Sequence, residues 1–199
     1  TLANLGEKGV LALMSDSTNA EKAGFTRSEK IVGKNVEAIF QETKGRIIIA
    51  SFASNVHRLQ QIFEAAHKTG RKVAVVGRSM ESITEVAQEL NYLKIAKGQL
   101  MDIRAIQRLP KDKICIITTG SQGEANAALS RMATQDHRSV EILPDDTVML
   151  SAMAIPGNEK YIARLIDHIL GLGAKVVYGR SFDIHVSGHA QEDDLKLML

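Results

Sequence analysis

Five short apolar runs rich in β-branched residues alternate with longer segments of helical periodicity, and this alternation constrains the fold most strongly. The runs occupy residues 46–51, 72–76, 113–118, 147–151 and 174–178. Nearly continuous apolar character is typical of strands that are covered on both faces of a sheet. We therefore predict an α/β fold, in which a parallel sheet of about five strands is flanked by helices on both faces.

The segments between the runs carry apolar stripes that predict helices. Four stripes are present: Val32, Val36, Ile39 and Phe40; Leu59, Ile62, Phe63 and Ala66; Ile83, Val86, Ala87 and Leu90; and Ile162, Leu165, Ile166 and Ile169. One further apolar run, Val10–Ser15, predicts another strand near the start of the chain. It leads directly into the polar string Asp16-Ser17-Thr18-Asn19.

Composition restricts the classes of function. The 199 residues carry a net charge of only +2, so any contact with a polyanion must come from a local arrangement of charges. The single cysteine, Cys115, lies in an apolar run and indicates a buried thiol in a reducing compartment. No targeting signal and no apolar run of ~20 residues is visible, so we expect a cytoplasmic protein that makes no membrane contact.

Polar, glycine- and serine-rich turns follow four of the predicted strands, where parallel sheets collect their ligands. The turn at residues 119–124 is the clearest candidate for binding a phosphate, although an ordinary helix cap explains it equally well. Asp16 can bind a metal or cap the next turn. His189, between Gly188 and Ala190, is either structural or catalytic. The residues alone leave these alternatives open.

Six strings, taken together, resemble ribonuclease J in the same order along nearly the whole chain. They are SDSTNAEKAGFTRSE (15–29), SFASNVHRLQQ (51–61), GRKVAVVGRSMES (70–82), TTGSQGEANAALSRMA (118–133), AIPGN (154–158) and DIHVSGHAQEDDLKLML (183–199). The resemblance implies a metallo-β-lactamase core that carries an inserted β-CASP domain. We expect residues 1–20 and 183–199 to belong to that core and residues 21–182 to form the β-CASP domain.

The resemblance also implies an activity and its site. The family contains zinc-dependent ribonucleases, 5′-to-3′ exonucleases and endonucleases of RNA processing and decay. Asp16 corresponds to a catalytic metal ligand of a two-zinc centre, and His189 to a catalytic residue near the scissile phosphate. The residues implied to bind the RNA 5′-monophosphate are Ser187, Gly188, His189 and Ala190, together with Ser54 and Asn55.

The chain also departs from the family pattern. The family's H-x-H-x-D-H and P-x-H-G-E strings, which supply most of the zinc ligands, do not occur in the sequence. We therefore expect an incomplete zinc site, a chain that is a piece of a longer protein, and no turnover by this piece alone. The expected partners are single-stranded RNA and, in the intact protein, a second copy or a paralogue.

Two rival interpretations remain. The string TGSQGEANAAL resembles turns of phosphosugar-binding isomerase-like domains, which would make the chain a binder of a small phosphorylated ligand. Alternatively, the chain belongs to a non-catalytic paralogue subunit of a ribonuclease J complex. Under the nuclease interpretation, we expect the strand-end turns and the arginines Arg58, Arg78 and Arg131 to form one wall of an RNA channel.

Overall fold

The computed structural model describes residues 2–199, apart from the side chain of residue 180. The chain divides into two compact units, which are described separately. The first unit contains the chain up to Glu29 together with Val186–Leu199, and the second contains Lys30–His185. The described helices are α1 (Leu2–Glu7), α2 (Glu29–Glu42), α3 (Val56–Lys68), α4 (Arg78–Glu89), α5 (Ile103–Ile106), α6 (Ala128–Ala133), α7 (Glu159–Gly171) and α8 (Glu192–Lys196).

The second unit is built on a five-stranded sheet in which every pairing is parallel. Its strands are β1 (Ile47–Ala50), β2 (Lys72–Val76), β3 (Ile114–Thr118), β4 (Thr147–Leu150) and β5 (Lys175–Val177). The spatial order is β2-β3-β1-β4-β5, and Ile47 of β1 is level with Cys115 of β3 and Thr147 of β4. The predicted α/β fold with five parallel strands is therefore confirmed.

Both faces of the sheet are buried, which explains why the strands are almost continuously apolar. Ile48 and Ala50 pack in a core cluster with Leu129 of α6 and Leu165 of α7. Alternate residues of a strand point to opposite faces, so Ile47 and its equivalents lie on the other side of the sheet. Ile47 is also fully buried. A charged side chain in the middle of these strands would therefore face a core in either direction.

Three of the four predicted apolar stripes are mainly buried, with Ile39 and Ile166 half-buried, but the stripe assigned to α4 is only partly correct. Ala87 is buried as predicted, but Val86 and Leu90 are exposed, and Met80 and Thr84 are buried in their place. Thr84 tolerates burial because its hydroxyl donates a hydrogen bond to the carbonyl of Met80 at 2.7 Å. A polar residue with an internal partner therefore replaces the apolar face that the sequence indicates.

A buried ion pair joins the amino-terminal ends of two adjacent strands. Arg46, which precedes β1, donates from Nε to Oδ1 of Asp146 at 3.0 Å, and both side chains are 3% exposed. Oδ2 of Asp146 also accepts a hydrogen bond from the Leu143 amide at 2.8 Å. Because the carboxylate and the guanidinium satisfy each other in the interior, removing either one leaves a buried charge without its partner.

The first unit joins a segment from the start of the chain to a segment from its end. Asn19 forms a parallel bridge with Gln191, and the Glu192 amide donates to the carbonyl of Lys22 at 3.0 Å. The strand predicted at Val10–Ser15 is wrong, because this segment has no regular secondary structure. Leu11 and Met14 are fully exposed, and the described residues of this unit offer the segment no strand to pair with.

No helix in the described part of the chain is both long and apolar enough to cross a membrane.

Candidate active site

The first unit places the two predicted catalytic residues in direct contact. Asp16 and His189 are separated by 173 positions, yet Oδ2 of Asp16 and Nδ1 of His189 form a hydrogen bond. Both side chains are about half exposed, at 53% and 50%. A carboxylate that engages Nδ1 fixes the orientation of the imidazole ring and leaves Nε2 available for another group.

Thr18 holds the Asp16 carboxylate in its ionised form. Its amide and its hydroxyl both donate to Oδ1, at 2.8 and 2.6 Å. These two bonds, first that from the Thr18 hydroxyl, together with the bond from His189, lower the pKa of Asp16 to about 2. A carboxylate has about four lone-pair positions. Three of these are occupied here, so one position on Oδ2 remains for a cation or another donor.

The Ser187–Ala190 loop is held by its own hydroxyl and by Asn19. Oγ of Ser187 accepts from the His189 amide at 3.1 Å and from Nδ2 of Asn19 at 2.9 Å. The carbonyl of His189 accepts from the Thr26 hydroxyl at 2.9 Å. These bonds fix the backbone on both sides of the His189 side chain, so the ring is held at its backbone as well as at Nδ1.

Three hydrogen-bond donors of this loop have no acceptor within the described part of the chain. They are the Ser187 hydroxyl, whose oxygen accepts twice but donates to no described group, and the amides of Gly188 and Ala190. Gly188 is exposed, and a Cβ added to it would meet no atom within 4 Å. Neighbouring hydroxyl and amide donors of this kind suit an anion such as a phosphate.

Sequence reasoning missed the residues that support this loop from the start of α8. Oδ2 of Asp194 accepts from the amides of Thr26 and Gln191, at 2.8 and 3.0 Å. These bonds, first that from the Thr26 amide, lower the pKa of Asp194. An acidic residue three positions after the residue that precedes a helix is the signal of a capping box, and Gln191-Glu192-Asp193-Asp194 carries it.

The other two predicted phosphate-binding residues, Ser54 and Asn55, belong to the second unit. Ser54 is exposed, and Asn55 is the N-cap of α3, where Oδ1 accepts from the Arg58 amide at 3.0 Å. The capping interpretation therefore accounts for the oxygen of the Asn55 carboxamide. Their assignment to the RNA 5′-phosphate rests on the family resemblance alone and stays a prediction.

The described residues do not by themselves fit a zinc centre. Within residues 2–199, no group of three or more His, Cys, Asp or Glu side chains is arranged to hold a metal ion. Asp16 and His189 are two potential donors in contact with each other, whereas zinc sites use three or four protein ligands. A metal centre that includes Asp16 therefore requires donors from outside this chain.

The prediction that Arg58 lines an RNA channel is wrong. Arg58 is fully buried, and its NH1 donates to the carbonyls of Ser151 and Ile184 at 3.1 and 2.8 Å. Arg131 already donates one hydrogen bond, from NH2 to the Asp136 carbonyl at 2.7 Å. Arg78 is exposed. Only the last two remain accessible to a polyanion.

The fold of the second unit is that of a parallel α/β domain, and comparison with known proteins gives the family. The profile described as "Ribonuclease J, beta-CASP domain" matches residues 44–169. Ribonuclease J 1 of Streptococcus pyogenes is 50% identical over 198 residues, which are 100% of this chain and 35% of that protein. Ribonuclease J of Thermus thermophilus is 42% identical over 100% of this chain and 34% of its own length. Ribonuclease J2 of Bacillus subtilis is 40% identical over 100% of this chain and 36% of its own length.

The chain thus belongs to the ribonuclease J β-CASP family. It spans about a third of the length of these curated relatives. The resemblance noted in the sequence is confirmed, and the match of residues 44–169 includes the TGSQGEANAAL turn that suggested a phosphosugar isomerase.

Proposed function

We propose that this chain is the RNA-binding β-CASP portion, with its junctions, of a zinc-dependent ribonuclease that processes and degrades single-stranded RNA in the cytoplasm. The observation that carries the proposal is the contact between Asp16 and His189. These are the two residues to which the family resemblance assigns catalytic roles. The 5′-to-3′ exonuclease and endonuclease activities belong to the intact protein, and we expect the isolated chain to be inactive.

In this proposal His189 acts on the phosphate that is cut. Asp16 and the hydrogen bonds to the His189 backbone hold the imidazole in one orientation, with Nε2 directed away from the carboxylate. In its protonated form, Nε2 donates a hydrogen bond to the scissile phosphate or a proton to the leaving oxygen. A donor that is already positioned stabilises the developing charge without having to reorganise.

Asp16 is also proposed as a metal ligand, through the lone-pair position that its present bonds leave open on Oδ2. The remaining ligands would come from parts of the protein outside this chain. When bound, two zinc ions would supply Lewis-acid chemistry to the phosphate. The role proposed for His189 depends only on residues within the chain. Assembly of the intact protein with a second copy or a paralogue is part of the same proposal.

The Ser187–Ala190 loop is proposed to bind the terminal 5′-monophosphate. The Ser187 hydroxyl and the amides of Gly188 and Ala190 lack acceptors within the described residues, and a phosphate would supply several. Hydrogen bonds to a charged acceptor are about twice as strong as neutral ones. A loop of this kind would recognise the phosphate rather than the base, so we expect little dependence on RNA sequence.

The test compares 5′-monophosphate with 5′-hydroxyl RNA as substrates of the intact protein. Ser187→Ala removes one donor and should lower the preference for the monophosphate by about tenfold. Ser187→Thr keeps the hydroxyl and is the matched control. For the second unit, Asn55→Asp retains the oxygen that caps α3 but adds a negative charge, which should oppose a phosphate bound nearby.

For each of the two variants, Ser187→Ala and Asn55→Asp, one result would exclude the residue from phosphate binding. If Ser187→Ala keeps the full preference for the 5′-monophosphate, the loop does not bind that group. If Asn55→Asp behaves as the unmodified protein, Asn55 is simply the helix cap that the structure describes.

A further inference from the structure

A large polar cavity opens in the second unit beside the carboxyl-terminal ends of β2 and β3. Its volume is about 770 Å³, and its wall includes Gly77 after β2 and Thr119 and Gly120 after β3. Pockets of roughly 300–1,000 Å³ are the size that holds small organic ligands. The carboxyl ends of parallel strands are also where α/β sheets bind their ligands. The cavity thus has the size and the place of a ligand site, and it includes two of the strand-end turns that the sequence suggested for RNA.

Three arginines line this cavity, and two of them have no partner among the described residues. Arg78 and Arg138 are exposed and make no side-chain hydrogen bond or ion pair within the described part of the chain. Arg131 is bonded to Asp136, through Nε at 3.4 Å and through NH2 to the carbonyl at 2.7 Å. Two exposed guanidinium groups on one wall can each donate to the oxygens of a bound anion.

The carboxylates of the cavity are occupied elsewhere and do not neutralise these arginines by pairing. Glu81 accepts from the Gly77 amide at 3.2 Å, and Glu124 accepts from the Gln122 amide at 3.1 Å. Both therefore bond to the backbone of the turns instead of to a guanidinium. The three arginines outnumber the two carboxylates in the lining. The wall accordingly keeps the donors of Arg78 and Arg138 available to a ligand.

His137 adds a neutral hydrogen-bond donor to the same wall. Its Nδ1 accepts from the amides of Ser139 and Val140, at 3.3 and 3.1 Å. A ring nitrogen that accepts two bonds carries no proton, so the proton of the neutral ring lies on Nε2. Burial, and then the charge of Arg131, lower the pKa of His137. Nε2–H has no acceptor within the described residues and can donate to a ligand.

We propose that this cavity binds a phosphate ester, with Arg78 and Arg138 as its charged contacts and His137 as a neutral donor. The planar guanidinium fork matches two phosphate oxygens at once. The ester is supplied either by the backbone of single-stranded RNA or by a free nucleotide. The RNA source rests on the proposed function, whereas the nucleotide source does not.

Binding is measured on the 199-residue chain with three probes: a short oligouridylate with a 5′-hydroxyl end, uridine 5′-monophosphate and inorganic phosphate. The 5′-hydroxyl end excludes any contribution from a terminal monophosphate site. Shifts of the backbone amide signals of Gly77, Gly120 and Ser139 report occupation of the cavity. The double variant Arg78→Ala/Arg138→Ala is compared with Arg108→Ala/Arg164→Ala, which removes two exposed arginines that do not line the cavity.

For the RNA source, the oligouridylate shifts these amides, and Arg78→Ala/Arg138→Ala weakens its binding about tenfold. Loss of two phosphate contacts on a single strand should also reduce the slope of log affinity against log salt concentration by about 1.4. For the nucleotide source, uridine 5′-monophosphate shifts the same amides, with the same loss in the variant. In both cases Arg108→Ala/Arg164→Ala should retain the affinity for the probe that shifts the cavity amides.

The proposal is overturned if neither the oligouridylate nor uridine 5′-monophosphate shifts the cavity amides. It is equally overturned if the two double variants bind these probes with the same affinity. It is also overturned if inorganic phosphate binds as tightly as the ester probes, since the cavity would then bind any small anion. None of these results depends on Ser187 or Asn55. Failure of this inference is therefore distinguishable from failure of the proposed 5′-monophosphate site.

Discussion

Replacing Arg58 by alanine should destabilise the second unit strongly, because this side chain is a buried structural connector. Arg58 lies on α3 and is fully buried, and its NH1 bonds the carbonyls of Ser151 and Ile184. NH1 also bonds the Ser151 hydroxyl, which itself donates to the Ile184 carbonyl at 2.6 Å. One guanidinium therefore links a helix, the end of β4 and the segment that returns to the first unit.

The expected cost follows from the groups that would be left behind. Each buried polar group that loses its partner costs about 1–3 kcal/mol, and in Arg58→Ala the Ser151 carbonyl loses its donor, whereas the Ile184 carbonyl keeps the bond from the Ser151 hydroxyl. With the lost packing of a large side chain, the free energy of unfolding should fall by about 3–5 kcal/mol. Urea denaturation of the chain, followed by circular dichroism, measures this difference.

The exposed Arg78 supplies the matched control, because Arg78→Ala should change the free energy of unfolding by less than about 0.5 kcal/mol. A loss below about 1 kcal/mol in Arg58→Ala would refute the reasoning. It would mean that water or a neighbouring side chain satisfies the Ser151 carbonyl, and that Arg58 is not what holds the segment at Ile184.

Two further predictions concern the acidic groups. Asp146→Ala leaves Arg46 buried without its carboxylate and should lower the free energy of unfolding by about 3–5 kcal/mol in the same urea assay; a loss under about 1 kcal/mol would contradict this. Thr18→Ala removes the largest cause of the low pKa of Asp16, so the midpoint should rise from about 2 toward 3.8 in a carboxyl NMR titration without added metal. The low pKa of Asp16 in the folded protein also sets how its contribution to stability changes with pH. This stabilisation is present above the unfolded pKa, near pH 4, and is lost as the pH falls toward 2. Ser17→Ala is the control, and an unchanged midpoint in Thr18→Ala would show that Thr18 does not hold the charge.

The strands β1, β3 and β4 were predictable from sequence because they are fully buried and therefore read as nearly unbroken apolar runs. The same criterion failed at Val10–Ser15, where an apolar run has no described strand to pair with in its unit. Apolar character reports that a segment can be buried, whereas a strand also needs a neighbour that satisfies its backbone groups.

Arg58 shows why buried polar residues escape sequence reading. It is adjacent in sequence to the apolar stripe of α3, so its position looks like a helix surface. Its acceptors, Ser151 and Ile184, are 93 and 126 residues away along the chain. Thr84 is similar, because only its bond to the Met80 carbonyl makes its burial acceptable. Partners that are brought together by folding leave no periodic signal.

Only part of the candidate active site could likewise be predicted from the sequence. Periodicity and spacing left both Asp16 and His189 with ordinary structural explanations, and only the family resemblance paired them. The structure adds the contact itself, which joins positions 173 residues apart. It also adds Asn19, Thr26 and Asp194, whose hydrogen bonds hold the Ser187–Ala190 loop and the start of α8.

RNA turnover by the intact protein carrying Asp16→Ala or His189→Ala tests the central claim most directly. We predict that each change lowers turnover at least ~100-fold, the range for losing a general acid or a charge-stabilising group. Glu192→Ala, a change at a surface acidic residue of α8, should retain activity, and urea denaturation should show that all three variants remain folded. Near-normal turnover in a folded Asp16→Ala or His189→Ala protein would contradict the claim that this pair performs the chemistry.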